Sequence, residues 1–160
     1  MAYGTTAGVA ALTPRYANGS GDFDATTRPT AAQVTTFLSQ VSNLLDSIMS
    51  EYGFDVPVTD AEVVEILTLF TQDEVAAIAE GINGSGRFGP TTKGPGQSRF
   101  QLITEDVQAF VESNATGMER MGASRTQQVN ILYRNTDEAG LNPTPIFGRR
   151  DYGESYTDRT

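Results

Sequence analysis

Residues 26–58 read TTRPTAAQVTTFLSQVSNLLDSIMSEYGFDVPV, and this stretch decides the fold. Pro29 stands just before Thr30, and Thr30 with Gln33 has the T-x-x-Q spacing of a capping box. Apolar residues then recur at Val34, Phe37, Leu38, Val41, Leu44, Leu45, Ile48, Met49 and Tyr52. Steps of three and four residues put these side chains on one face of an α-helix, so the spacing predicts a helix over 31–52. Gly53 suits the left-handed residue that ends such a helix, and Phe54 supplies the apolar contact of a Schellman motif.

The same grammar continues along the chain. Thr59 and Glu62 form a second capping-box pattern, with Asp60 and Glu62 placed where the helix dipole favours anions. Val63, Val64, Ile66, Leu67, Phe70, Val75, Ile78 and Ile82 extend a helix over 59–82, although Thr71 with Glu74 offers a new cap and a break near Thr71. Residues 83–98 are rich in Gly and Pro and read as a long loop. A third helix over 99–121 starts at Ser98 with Gln101, or at Thr104, and carries Phe100, Ile103, Val107, Phe110, Val111, Met118 and Met121. Residues 128–133 alternate in part and fit a short strand or another helical turn.

The expected fold is therefore all-α, a small bundle of three main helices with extended N- and C-terminal arms. Residues 1–28 form the N-terminal arm, 29–134 the helical bundle domain with its loop at 83–98, and 135–160 the C-terminal tail. The arms are assigned on Gly-, Thr- and Pro-rich composition without a helical or strand period. The expected core includes Phe37, Leu38, Val41, Leu45, Leu67, Phe70 and Phe110.

Composition narrows the function. The 160 residues contain no Cys and no His. Imidazole triads, thiol chemistry, zinc and Fe–S sites and disulfide scaffolds are thereby excluded. Paired acids such as Asp22/Asp24 and Glu105/Asp106 stand at helix starts or in the arm, where capping accounts for them, and Asp22–Asp24 lacks EF-hand spacing. The Gly-rich loop lacks the phosphate-loop pattern. No enzyme activity, cofactor or metal is expected. No signal peptide is read at the N-terminus, and no membrane span.

Charge is distributed unevenly. The net charge is −9, and residues 29–82 contain nine acids and no Lys or Arg. This helix pair accounts for the whole excess. It is either a solvated face that keeps the protein soluble or a surface that must not hold nucleic acid, as a DNA conduit requires. The candidates for a channel-facing role are Asp46, Glu51, Asp60, Glu62, Glu65, Asp73, Glu74 and Glu80. Ten of the 11 bases are Arg. In the tail, Leu141, Pro145, Ile146, Phe147, Arg149, Arg150 and Tyr152 combine prolines, aromatics and paired Arg, the composition of a docking peptide. They are expected to bind a neighbouring protein.

Residues 25–82 resemble the opening of the head–tail connector (adaptor) proteins of tailed bacteriophages. The resemblance rests on Thr30, Val34, Leu38, Leu45, Asp46, Ile48, Gly53 and Phe54, followed by a second capped helix. A break at Thr71 and the long 83–98 loop depart from the pattern. The resemblance implies a helical bundle assembling as a homo-oligomeric ring, typically twelvefold, beneath the portal protein. A stopper or tail protein would lie below it, and DNA would pass through without sequence recognition. It also implies a place in the virion neck, after assembly in the host cytoplasm, and the portal or an adjacent subunit as the tail's partner. The alternatives are another neck or tail-completion protein, or a non-viral helical interaction module.

Overall fold

The computed structural model describes residues 2–86 and 98–125. Within them run α1 (Thr6–Leu12), a 3-10 turn at Pro14–Tyr16, α2 (Ala31–Glu51), α3 (Ala61–Ile82) and α4 (Arg99–Arg120). None of the described residues is in a strand. All of these elements belong to one compact unit, 1–127. The small all-α bundle is as the periodicity requires. The tail from 135, the 128–133 segment and most of the 83–98 loop lie outside the described residues.

Local chemistry sets the helix ends. Thr30 Oγ1 accepts from Gln33 N while the Gln33 side chain accepts from Thr30 N, and Ser98 with Gln101 repeats the arrangement at α4. At α3 the expected Thr59 cap is replaced by Asp60, whose carboxylate accepts from the backbone N–H of Glu62 and Val63. A carboxylate one residue later meets the same orphan donors and adds a favourable charge at the helix start. The three long helices all close with Schellman bonds. Phe54 N donates to Met49 O, Ser85 N to Glu80 O and Ala123 N to Met118 O, each at 3.0 Å. Gly53, Gly84 and Gly122 supply the positive φ that these closures need.

The helix α3 runs without a break through Thr71, which is buried on its core side. Its companions there, Val63, Leu67, Val75 and Ile78, continue one stripe across the position of the supposed second cap. In the core the structure keeps Leu38, Val41, Leu45 and Leu67 buried, with Leu45 fully so. Phe37, Phe70 and Phe110 are only half-buried. Phe70 and Phe110 stack on each other across α3 and α4, with ring centroids 4.1 Å apart, at the edge of the core. The helix α2 is central and packs on α1, α3 and α4.

The N-terminal arm differs most from expectation. Residues 2–28 are not extended throughout. The helix α1 packs on α2 and α3, and Tyr3, Val9, Ala10 and Phe23 are buried. Two glycines four residues apart allow the close approach. A Cβ at Gly4 or Gly8 would run into the Gln72 side chain on α3.

Candidate functional site

The acidic surface divides into groups once the side chains are placed. Glu74 is withdrawn from the channel-facing set because it is buried, 1 % exposed, on the stripe that faces the core. Asp46 is half-buried and accepts a 2.7 Å hydrogen bond from the Tyr3 hydroxyl. Glu80 pairs with Arg15 at 2.7 Å, a base supplied by the N-terminal segment. Asp60 is committed to the cap of α3. Glu51, Glu62, Glu65 and Asp73 remain exposed and have no basic partner among the described residues.

Position along the helices separates these four. Glu51 closes α2 and Glu62 opens α3, so both stand at the turn between the two helices, with Asp55 and Asp60. That end is tied to the end of α4 by a 2.9 Å bond from Asp55 N to Ser124 O. Arg125 reaches it too, lying over the Phe54 ring at 4.3 Å, with Glu119 at 3.8 Å. A polar hollow of about 470 Å³ opens there between Asp55, Thr59, Asp60 and Ser124. Glu65 and Asp73 instead flank Leu69 in the middle of α3, and Leu69 is exposed.

A second feature is apolar. Gln40, Asn43 and Leu44 of α2, Ile78 of α3, and Phe100 and Ile103 of α4 line an open groove of about 490 Å³. Phe100 is 67 % exposed beside it. Isolated exposed apolar residues are ordinary, but Phe100 stands at the lip of an apolar groove. The α4 periodicity placed Phe100 among the apolar positions of the helix and did not reveal the groove.

Sequence reasoning also missed the clasp built on Tyr3. Its hydroxyl donates to Asp46 Oδ1 at 2.7 Å and accepts from Val58 N at 3.1 Å. Its backbone N donates to Ser42 Oγ at 2.8 Å, while that hydroxyl donates to Leu38 O. Burial pushes the Tyr3 phenol well above its ordinary range, and its bond to the Asp46 carboxylate adds to this. An aromatic residue in a Gly/Ala/Thr-rich segment was the available signal. Tyr16 makes a further tie, its hydroxyl lying 2.6 Å from Ser85 Oγ.

The tail residues Leu141, Pro145, Ile146, Phe147, Arg149, Arg150 and Tyr152 lie outside the described residues. No described helix is long and apolar enough to cross a membrane. No family model, curated protein or solved structure matches the chain.

Proposed function

We propose that this chain is a structural virion protein of a tailed bacteriophage. In this reading it is a head-to-tail adaptor that forms a homo-oligomeric ring beneath the portal and lets DNA pass through its centre. The observation that carries the reading is the acidic turn end of the α2–α3 pair. There Glu51, Asp55, Asp60 and Glu62 crowd one end of a hairpin in which residues 29–82 supply no base, so the bases near that end come from outside the hairpin, Arg120 in the last turn of α4 and Arg125 over the Phe54 ring. In the ring this end borders the lumen. Duplex DNA binds proteins chiefly through cations that displace its counterions, so an acidic border prevents the passing polymer from sticking. The bundle's size supports the same reading, because small cores gain burial by association. The C-terminal tail serves as the portal-docking arm and the role is structural, not catalytic.

Electron microscopy of the purified chain mixed with portal-bearing heads tests the proposal. A ring beneath the portal, twelvefold with the portal, is the expected result. A folded chain that stays monomeric and never binds those heads would overturn it and favour a non-viral interaction module. The lumen assignment has its own measurement. The double variant Glu51→Lys, Glu62→Lys should gain DNA binding that disappears as salt is raised.

A further inference from the structure

Resting on the ring reading, a further inference concerns how one copy meets the next. The exposed stripe of α3 carries Glu62, Glu65, Leu69 and Asp73 at steps of three, four and four residues. Leu69 is 63 % exposed at its centre. Neither Glu65 nor Asp73 has an ion pair among the described residues. Nine residues on from Leu69, about two and a half turns, Ile78 points to the opposite side of α3 and forms part of the apolar groove. Arg99 stands one turn before Ile103 on the same face of α4. Among the described residues Arg99 makes no ion pair, and its buried Nε has no hydrogen-bond partner.

We infer that the groove between α2 and α4 receives a second copy of this chain. Leu69 of one copy seats against Leu44, Ile78, Phe100 and Ile103 of the next, and Arg99 of that copy answers Glu65 or Asp73. The charges are complementary: two acids without an ion pair among the described residues flank the knob, and Arg99, likewise without one among them, stands next to Phe100 of the groove. Knob and groove lie on opposite sides of α3, so the contact is head to tail. Such a contact leaves a further knob and a further groove at each end and grows into a closed ring, or into a filament where the rotation does not close. Seating Leu69 also removes the most exposed large apolar side chain of α3 from water. The acidic turn end, with Glu51 and Glu62, is left to the lumen.

The chain has no cysteine, so thiol cross-linking is free of background. Leu69→Cys and Phe100→Cys are both at exposed positions, and circular dichroism checks that each variant keeps the helical content of the parent. A short bismaleimide should link the two variants to each other when mixed, and neither to itself. A chain carrying both cysteines should give a ladder of linked multimers. Arg99→Glu in that chain should reduce the ladder severalfold, and adding Glu65→Arg with Asp73→Arg should restore it. Linkage of Phe100→Cys to itself would mean a two-fold contact and overturn the inference. Linkage of Phe100→Cys to a cysteine at Phe147, with none at Leu69, would give the groove to the C-terminal tail and also overturn it. If sedimentation shows the parent chain assembling while the mixed pair does not link, the inference fails and the ring reading stands. If the parent stays monomeric even with portal-bearing heads, the ring reading fails and takes the inference with it.

Discussion

Residues 2–28 and residues 31–82 share one core but are held in it by different means. The helices α2 and α3 bury long apolar stripes, from Val34 to Met49 and from Val63 to Ile78. The N-terminal segment buries few apolar side chains and relies on directed polar bonds. Tyr3 reaches Ser42, Asp46 and Val58, Arg15 reaches Glu80, and Tyr16 reaches Ser85. A stripe is redundant and leaves a period in the sequence. A clasp depends on single atoms and leaves almost none.

Cavity formation should break the first region most severely. Leu45 is fully buried at the centre of α2. Leu45→Ala should cost about 2–5 kcal/mol of folding stability, measured by denaturant unfolding followed by circular dichroism. A loss well under 1 kcal/mol would mean that α2 is not the central helix of the bundle.

The clasp should fail at one oxygen atom. Tyr3→Phe keeps the ring but leaves Val58 N–H and the Asp46 carboxylate without that partner, at a cost of about 1–3 kcal/mol. The sign of its pH dependence follows from the raised phenol. Folded Tyr3 holds its proton above the ordinary value of about 10, so its contribution is intact below that pH. Above it the unfolded phenol ionises while the folded one does not, and stability falls. The alkaline loss should be shallower in Tyr3→Phe than in the parent. Identical alkaline limbs would show that the phenol is not held as the hydrogen bonds require.

This contrast explains what the sequence made legible. Helices α2 and α4 were readable to within a residue or two because apolar period, cap and Gly closure agreed, and α3 was readable in its extent from its apolar stripe although its cap and its continuity through Thr71 were not. The helix α1 has seven residues, too few for a period to emerge, and its packing depends on Gly4 and Gly8 lying against Gln72. The acidic excess was plain in the composition. Which acids remain exposed was not, since Glu74, Asp46 and Glu80 are taken by partners distant in sequence or by the core. The groove beside Phe100 was hidden for a related reason. Periodicity names the apolar face of each helix but not where three such faces fail to close.

The misread cap offers a smaller and sharper test. Asp60, not Thr59, meets the Glu62 and Val63 N–H groups. Asp60→Ala should cost about 1 kcal/mol, within the usual 0.5–2 kcal/mol of an N-cap, while Thr59→Ala should leave the unfolding midpoint nearly unchanged. Equal losses would restore Thr59 to the cap.

The smallest effect belongs to the turn that joins the two regions. Asp24 Oδ2 accepts from Asn18 Nδ2 at 3.0 Å, and Oδ1 accepts from Thr26 N at 2.6 Å, Thr26 Oγ1 at 2.7 Å and Thr27 N at 3.0 Å. Its carbonyl accepts from Ala31 N, the first residue of α2, so this one residue ties the end of the N-terminal segment to the start of the helix. The bond from the Asn18 amide, followed by those from Thr26, lowers the Asp24 carboxyl to about 2. A carboxyl depressed below its unfolded value of about 4 stabilises the fold above that value, and the contribution is lost as pH falls through the folded value. Asp24→Asn keeps an accepting oxygen but removes the charge. It should therefore lower the unfolding midpoint near neutral pH by a small amount, because the group is solvated and screened. The gap from the parent should narrow steadily between about pH 4 and pH 2. Midpoints measured across that range decide the point. A gap that stays constant would mean that the turn is held by shape alone, and the carboxylate charge would have no part in fastening the N-terminal segment to α2.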